Sequence, residues 1–526
     1  MSSLLETQRV ALLSYLADTD FDSDKINRLS ALCETIRREV DFPTRLELAD
    51  GLRRDGSTSD TVRLHSVLFQ LTGDLYHYER ILHYLLLGGH SIDPALLHYS
   101  YWCMSRQLFL GSATGGKTAD FVSCDLYRFY ESMVRLIARR WALRPGRAVV
   151  KPGPIRRVAL VTNQFTNDRH QPTRDCFDFA CRLQDDFGLD VAIINTNMMP
   201  SWVENLFIPP MLAELVEDYE GVFAMRMLGR QVKVASFTER RFSQAKMTAI
   251  VEAIDGYDPD LIVSFGGSNI AADLFAEANA RPVLCIPTTS GLTISLSHIL
   301  LGFDEHDYTA GISDLYRAPF ARRFRPFTFG YTLPPTNGVF DDPVLDGAAF
   351  VFAVVGTRLD HEVTSEFLSL LDEILDRCPT AVAVFAGGVT GLPRRLAALR
   401  NQGRLHCLGH VNDIRALYRR CHVFLNPARQ GGGGGAAFAL AEGVPVVTYG
   451  WGDAASVVGP AFHVADSAAY VARATALFAD SEERARCATA ARARFAEVGD
   501  RHRSVERLLA YGEALRRRPV FAGDDN

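Results

Sequence analysis

Residues 422–450 read HVFLNPARQGGGGGAAFALAEGVPVVTYG. HVFLNPARQ is a short apolar strand that ends in a polar turn. Five glycines follow, and AAFALAEG reads as an apolar helix closed by Gly443 before a second strand, VPVVTYG. A strand, a glycine turn and a helix N-terminus let backbone N–H groups approach an anion with no Cβ in the way. The helix dipole then favours negative charge at the same spot. A flexible glycine linker uses the same letters, but it does not belong between a buried strand ending in Asn426-Pro427 and an apolar helix. The stretch therefore reads as one unit of a parallel α/β sheet with a ligand-facing loop.

The alternation continues on both sides. Upstream lie the strand AAFVFAVVGTRL, the helix VTSEFLSLLDEILDR, the strand TAVAVFAGG, then RLHCLGHV and the helix DIRALYRRC. Farther upstream, RRVALVTNQF, DCFDFACRLQDDFG, LDVAIINT, DPDLIVSFGG and RPVLCIPTTSG repeat the scheme. Two Pro/Gly-rich breaks, RPGRAVVKPGPIRR and YTLPPTNGVFDDPVLDG, divide the chain. They predict an all-α region over 1–150, one Rossmann-like domain over 151–338 and a second, with C-terminal helices, over 339–526. The expected fold class is α/β: two Rossmann-like domains facing a cleft, preceded by the all-α domain. In such sheets ligands sit beyond the carboxyl ends of the strands.

The chain has 526 residues, 48% hydrophobic and 22% charged, with a net charge of −6. That balance excludes the basic excess expected of a nucleic-acid binder. The N-terminus lacks the basic start and apolar run of a signal peptide, and no apolar run reaches the ~18 residues of a membrane span. Ten cysteines carry no C-x-x-C spacing, so a reducing cytoplasm is the expected setting. Asp258-Pro-Asp260 precedes its strand rather than ending it, and no metal is expected. GSATGGKT at 111–118 fits the phosphate-loop pattern at every fixed position. Its lead-in, DPALLHYSYWCMSRQLFLG, is helical, so the match reads as a loop between two helices.

The order of pieces in residues 345 to 460 resembles the C-terminal half of GT-B-fold glycosyltransferases, especially the large group 1 family. Gly356-Thr-Arg358-Leu, Ala386-Gly387-Gly388, Gly409-His410-Val411-Asn412-Asp413, Gly431 to Gly435 and Gly443-Val-Pro445-Val-Val follow that family's landmarks in sequence. The resemblance implies transfer of a sugar from a nucleoside diphosphate to an acceptor, with no cofactor beyond the donor. On the donor side it implies Gly356, Gly387, the base-lining His410 and Val411, Asn426, and the phosphate-cradling Gly431, Gly432, Gly433 and Gly434. Arg358 would clamp the diphosphate, Arg429 would serve as replacement cation because Glu362 stands near where the family often has a lysine, and Gln430 would bond the donor sugar. The family's pair of glutamates, eight residues apart, is replaced here by Gln430 and Phe438. Glu442 lies a turn farther on.

The loop NQFTNDRHQPTRD offers Gln164, His170 and Thr173 to an acceptor, with His170 as the candidate base and Asp168 and Asp175 as rivals. Thr288, Thr289 and Ser290 end another strand at the same level. His170, Arg358 and Gln430 are thus the candidate catalytic residues. The expected partners are a nucleotide sugar and a glycan, lipid or protein acceptor, with a homodimer formed through the helical region. Three other readings stay open: a sugar-nucleotide epimerase, a non-catalytic sugar-nucleotide-binding scaffold, and an NTPase built on Lys117.

Overall fold

The computed structural model describes residues 3–18, 22–55, 60–89, 91–111, 117–146, 153–167, 170–227, 229–288, 294–303, 314–518 and 521. Seven helices come first: α1 (Ser3–Ala17), α2 (Ser23–Glu39), α3 (Phe42–Asp55), α4 (Thr61–Thr72), α5 (Tyr76–Gly88), α6 (Pro94–Gly111) and α7 (Lys117–Arg140). Gly111 ends α6 and Lys117 opens α7, so a helix leads into the GSATGGKT segment. Residues 112–116 lie outside the described residues. The buried strand that a phosphate loop requires is not its neighbour.

An eight-stranded sheet follows: β1 (Arg157–Thr162), β2 (Asp190–Asn195), β3 (Gly221–Met227), β4 (Arg230–Ser236), β5 (Leu261–Phe265), β6 (Val283–Ile286), β7 (Ile299–Gly302) and β8 (Phe324–Pro326). Its order is β3-β4-β2-β1-β5-β6-β7-β8, and every neighbouring pair is parallel except β3 with β4. The second sheet holds β9 (Phe350–Val355), β10 (Ala381–Ala386), β11 (Leu405–Gly409), β12 (Val423–Leu425), β13 (Val446–Tyr449) and β14 (His463–Val464). It is wholly parallel, in the order β11-β10-β9-β12-β13-β14. Strands such as LIVSF and FVFAVV are apolar throughout because helices cover both faces of the sheet.

The helical region is not a separate body. Tyr78, Ile81, Tyr101, Phe129 and Ile137 share one core with Val161, Ile194, Ile250 and Ile262 of the first sheet and its helices. Polar contacts fix the join: Tyr130 donates to Asp273 Oδ2 at 2.6 Å, and Tyr101 and Ser268 share a hydrogen bond of 2.5 Å. Asp258 and Asp260 also have structural partners. Asp258 pairs with Arg281 at 3.2 Å, and Asp260 accepts the N–H groups of Arg156 and Arg157.

The expected unit 339–526 extends past what packs together. Its last helix, Arg501–Arg516, puts Val505, Leu508 and Leu515 into the core of the first sheet with Val158, Leu160 and Phe179. Arg501 pairs there with Asp175 at 2.6 Å and Asp178 at 3.2 Å. The two segments that cross between the sheets touch: Tyr331 N–H donates to the Val498 carbonyl at 3.0 Å, and Ser504 Oγ to the Thr328 carbonyl at 2.5 Å. Among the described residues, no helix is long and apolar enough to cross a membrane.

Candidate functional site

The carboxyl ends of β9, β10 and β12 build one floor. Gly387 follows β10 at φ +150°, and a Cβ there would collide with the Gly356 carbonyl oxygen. Gly356 N–H in turn donates to Ala386 O at 3.0 Å, so the two glycine turns are locked edge to edge. Gly387→Ala is expected to cost about 2–4 kcal/mol, since it combines an unfavourable φ with a clash against backbone that cannot swing away. Chemical denaturation reads this directly; an unchanged midpoint would refute it.

Arg429 lies under this floor with 2% of its side chain exposed. Its Nε donates to Asn426 Oδ1 at 2.8 Å, Nη1 to Glu362 Oε2 at 2.6 Å and Nη2 to the Val355 carbonyl at 2.7 Å. Asn426 is equally buried and also donates to Thr448 Oγ1 at 3.1 Å. The structure thus corrects the expectation of direct donor contact for both residues: they form the platform below the glycine loop. Gly432, at φ +100°, is the residue that lets the loop pass over it. A Cβ there would meet Arg429 Nε and Nη2 at 2.8 Å.

Arg358 stands at the surface of the floor with 38% of its side chain exposed. Its Nε and Nη2 donate to Glu362 Oε1 at 3.0 and 2.8 Å, so one carboxylate is shared by two arginines. Burial alone would raise the Glu362 pKa, but the charges of Arg429 and Arg358 outweigh it and hold the carboxyl below its ordinary value. Nη2 of Arg358 also lies 2.6 Å from where a Gly431 Cβ would be. The helix Gly433–Glu442 starts beside it, and its N-cap, Gly432, provides no side-chain hydrogen bond. A guanidinium and an uncapped helix N-terminus therefore converge on one spot, an arrangement suited to a phosphate.

The other donor-side positions are less uniform. Gln430 is half-buried and its carbonyl accepts Asp453 N–H at 2.7 Å. His410 is exposed and Val411 half-buried beyond the end of β11. Phe438 is buried in the apolar core, and Glu442 is held by Arg415 at 2.6 Å and Arg419 at 2.8 Å.

Across the cleft, His170 is the N-cap residue of the helix Gln171–Asp185. Its Nδ1 lies 2.8 Å from Thr173 Oγ1, which already accepts the Thr166 N–H at 2.9 Å. Thr173 is fully buried, so it orients His170 rather than meeting a substrate itself. In the tautomer whose Nδ1–H donates to Thr173, Nε2 is the proton-accepting nitrogen. Burial, then the charge of Arg106, lowers the His170 pKa, with Asp175 opposing, so the ring is neutral near pH 7. The rival Asp175 is engaged by Arg501 and by Gln171 at 3.0 Å. Gln164 donates to the Glu214 carbonyl at 2.9 Å, and Thr288 is exposed beside Gly266. Asp168, Thr289 and Ser290 lie outside the described residues.

Sequence reasoning missed the third wall. Helix α6 brings Arg106 and Phe109 to the cleft, and the Phe109 ring lies 5.1 Å from the Arg358 guanidinium. Their i, i+3 spacing puts both on one face, but nothing in the local pattern distinguishes that face from a core-facing one.

Residues 349–480, which contain this floor, match the family model described as "Glycosyl transferases group 1". That stretch is similar to group 1 glycosyltransferase domains. It accounts for the second sheet, and the whole chain resembles a solved structure. A mutant O-GlcNAc transferase of Thermobaculum terrenum is 17% identical with a TM-score of 0.51, over 98% of this chain and 99% of that one. That likeness shows the fold: GT-B, two Rossmann-like domains facing a cleft, here with a helical N-terminal region. Anabaena Alr3699/HepE in complex with UDP-glucose is 14% identical, TM-score 0.46, over 68% of this chain and 99% of that one. A UDP-forming trehalose-phosphate synthase of Burkholderia vietnamiensis is 12% identical, TM-score 0.48, over 69% and 97%. No curated protein matches the sequence.

Proposed function

We propose that this protein transfers a hexosyl group from a nucleoside-diphosphate sugar to a hydroxyl of a glycan, lipid or protein acceptor, without a metal, in the cytoplasm. The observation that carries this reading is the convergence of Arg358, the glycine turn and an uncapped helix N-terminus inside a domain similar to those of group 1 glycosyltransferases. As the sugar departs, negative charge grows on the diphosphate. Preorganised N–H groups and the Arg358 fork stabilise that charge more in the transition state than in the ground state. His170, neutral and oriented by Thr173, accepts the acceptor's proton through Nε2. Gln430 faces the donor sugar, and His410 with Val411 lines the base.

His170→Ala is expected to slow transfer about 10²–10⁴-fold, the usual contribution of a positioned general base. The acid limb of the wild-type pH profile should fall below pH 6.5, because the folded ring protonates only below its ordinary pKa. A profile flat from pH 5 to 7, or full activity in the variant, would remove His170 from the chemistry.

The replacement of the family's glutamate pair by Gln430 and Phe438 favours a second reading: a scaffold that binds sugar nucleotides without turning them over. Thermal melts with UDP, GDP, ADP, CDP, dTDP and magnesium-ATP separate the cases. Saturation at 100 times the dissociation constant adds about 2.7 kcal/mol, a shift of several degrees. One diphosphate stabilising the wild type but not Arg358→Ala supports the donor site and names its base. Consumption of the matching sugar nucleotide with an acceptor supports transfer. Its interconversion without one would indicate an epimerase, and stabilisation without turnover the scaffold. No shift with any of them would refute the donor site.

A further inference from the structure

Arg106 sits in the middle of α6, far in sequence from either sheet, yet the electrostatics of the cleft depend on it. It is a partly buried cation, and its Nη1 is shut off from solvent without a hydrogen-bond partner. Among the described residues none of its side-chain nitrogens makes a hydrogen bond or ion pair. An unmatched buried charge is costly, and proteins keep one chiefly where a ligand supplies the missing partner. Its neighbours supply none. One turn along α6, Phe109 packs against Arg358, and the nearby carboxylate, Glu362, is already divided between Arg358 and Arg429. On the other side, the charge of Arg106 acts on His170. Burial disfavours the Arg106 charge, and the charge of Arg358 adds to that, with Cys103 opposing. Glu362 is thus shared by two arginines, and Arg106 has no carboxylate of its own among the described residues.

We propose that Arg106 is a diphosphate-binding residue, supplied by the helical region to the same phosphate groups that Arg358 engages. The helical region is then part of the active site itself, and Arg106 spans the gap between the donor's diphosphate and the base at His170. The proposal rests on the sugar-nucleotide reading of the cleft, and it goes beyond that reading by making the donor site incomplete without α6.

The test uses the full chain, with inorganic pyrophosphate as a base-independent probe alongside the panel of nucleoside diphosphates, in calorimetric titrations. Arg106→Ala is expected to weaken pyrophosphate and the preferred nucleoside diphosphate by about 10–100-fold, the range for a charged hydrogen bond. Arg106→Lys should recover part of the loss, since it keeps the charge but not the fork. A purely structural arginine would lower the melting temperature when removed. Here the empty Arg106→Ala and Arg106→Met proteins should melt at or above the wild-type temperature, because an uncompensated charge has gone. Unchanged affinities in Arg106→Ala, with Arg358→Ala losing them, would overturn the inference and leave the donor site standing. Arg106-dependent binding of pyrophosphate with no nucleoside diphosphate bound would keep the anion site and remove the sugar-nucleotide reading. A lowered melting temperature in both variants with affinity intact would assign Arg106 to packing.

Discussion

Arg358→Ala is expected to reduce sugar transfer by about 10²–10³-fold, the usual loss when one preorganised donor to a developing anion is removed. The size follows from geometry. Arg358 is the partly exposed member of the Arg358–Glu362–Arg429 group, and its guanidinium edges the turn at Gly431 where the helix Gly433–Glu442 begins. Its loss leaves Glu362 paired with Arg429, so the fold keeps its buried charges balanced. Stability should therefore change by less than about 1 kcal/mol, as for other partly exposed i, i+4 pairs. Arg358→Lys should recover binding only in part, because an ammonium cannot hold two phosphate oxygens in a planar fork. Initial rates and melts on the same preparations settle the matter. A rate unchanged within a factor of three would eliminate Arg358 as the diphosphate ligand.

Glu362→Ala should do the reverse and unfold the domain of the second sheet more readily. It strips the counter-ion from Arg429, which cannot reach water. Breaking a buried pair from one side costs about 3–5 kcal/mol. At roughly 2–4 °C per kcal/mol for a unit of this size, the melting temperature should drop by about 6–20 °C. Replacing both partners, Glu362→Met with Arg429→Met, should recover much of the loss, which a simple packing defect would not. The pH dependence has a definite sign. The Glu362 carboxyl is held below its ordinary 4.5 in the fold, where the two arginine charges overcome the effect of burial. Its contribution is fully present above pH 4.5 and is lost as pH falls through the lower folded value. The gap between wild type and Glu362→Ala should accordingly close on acidification below pH 4.5. A gap that stays constant to pH 3 would contradict the assignment.

How much of this was legible in the sequence depended on whether the signal was local. β1, β5, β9, β10, β12 and β13 stood out as apolar runs because both their faces are covered. The β3–β4 pair did not: its alternating exposure belongs to a sheet edge, and its residues carry no continuous apolar run. β8 has three residues and β14 two, too short for any period to show. In the site, Arg358 and the glycine turn were readable because their chemistry lies in consecutive residues. The partnership of Glu362 with Arg429 joins residues 67 apart, and only the fold reveals that Arg429 faces down rather than toward a phosphate. Arg106 was invisible for a related reason: a lone arginine among apolar helical residues reads as a solvated or snorkelling side chain.

The return of the helix Arg501–Arg516 to the first sheet has a consequence for how the molecule is put together. With its two ends joined by the Tyr331–Val498 hydrogen bond, the polypeptide from about residue 332 to 498 is nested inside the other unit as a very large surface loop would be. Such an insert enters and leaves at one place, so it can be cut out without stretching either piece. Expressed alone, that segment should fold and melt cooperatively. The remaining chain, closed by a few glycines, should keep the eight-stranded sheet and its helical cover. Any opening of the cleft must turn on the doubled crossing between the units, a pivot of two adjacent segments rather than a tether.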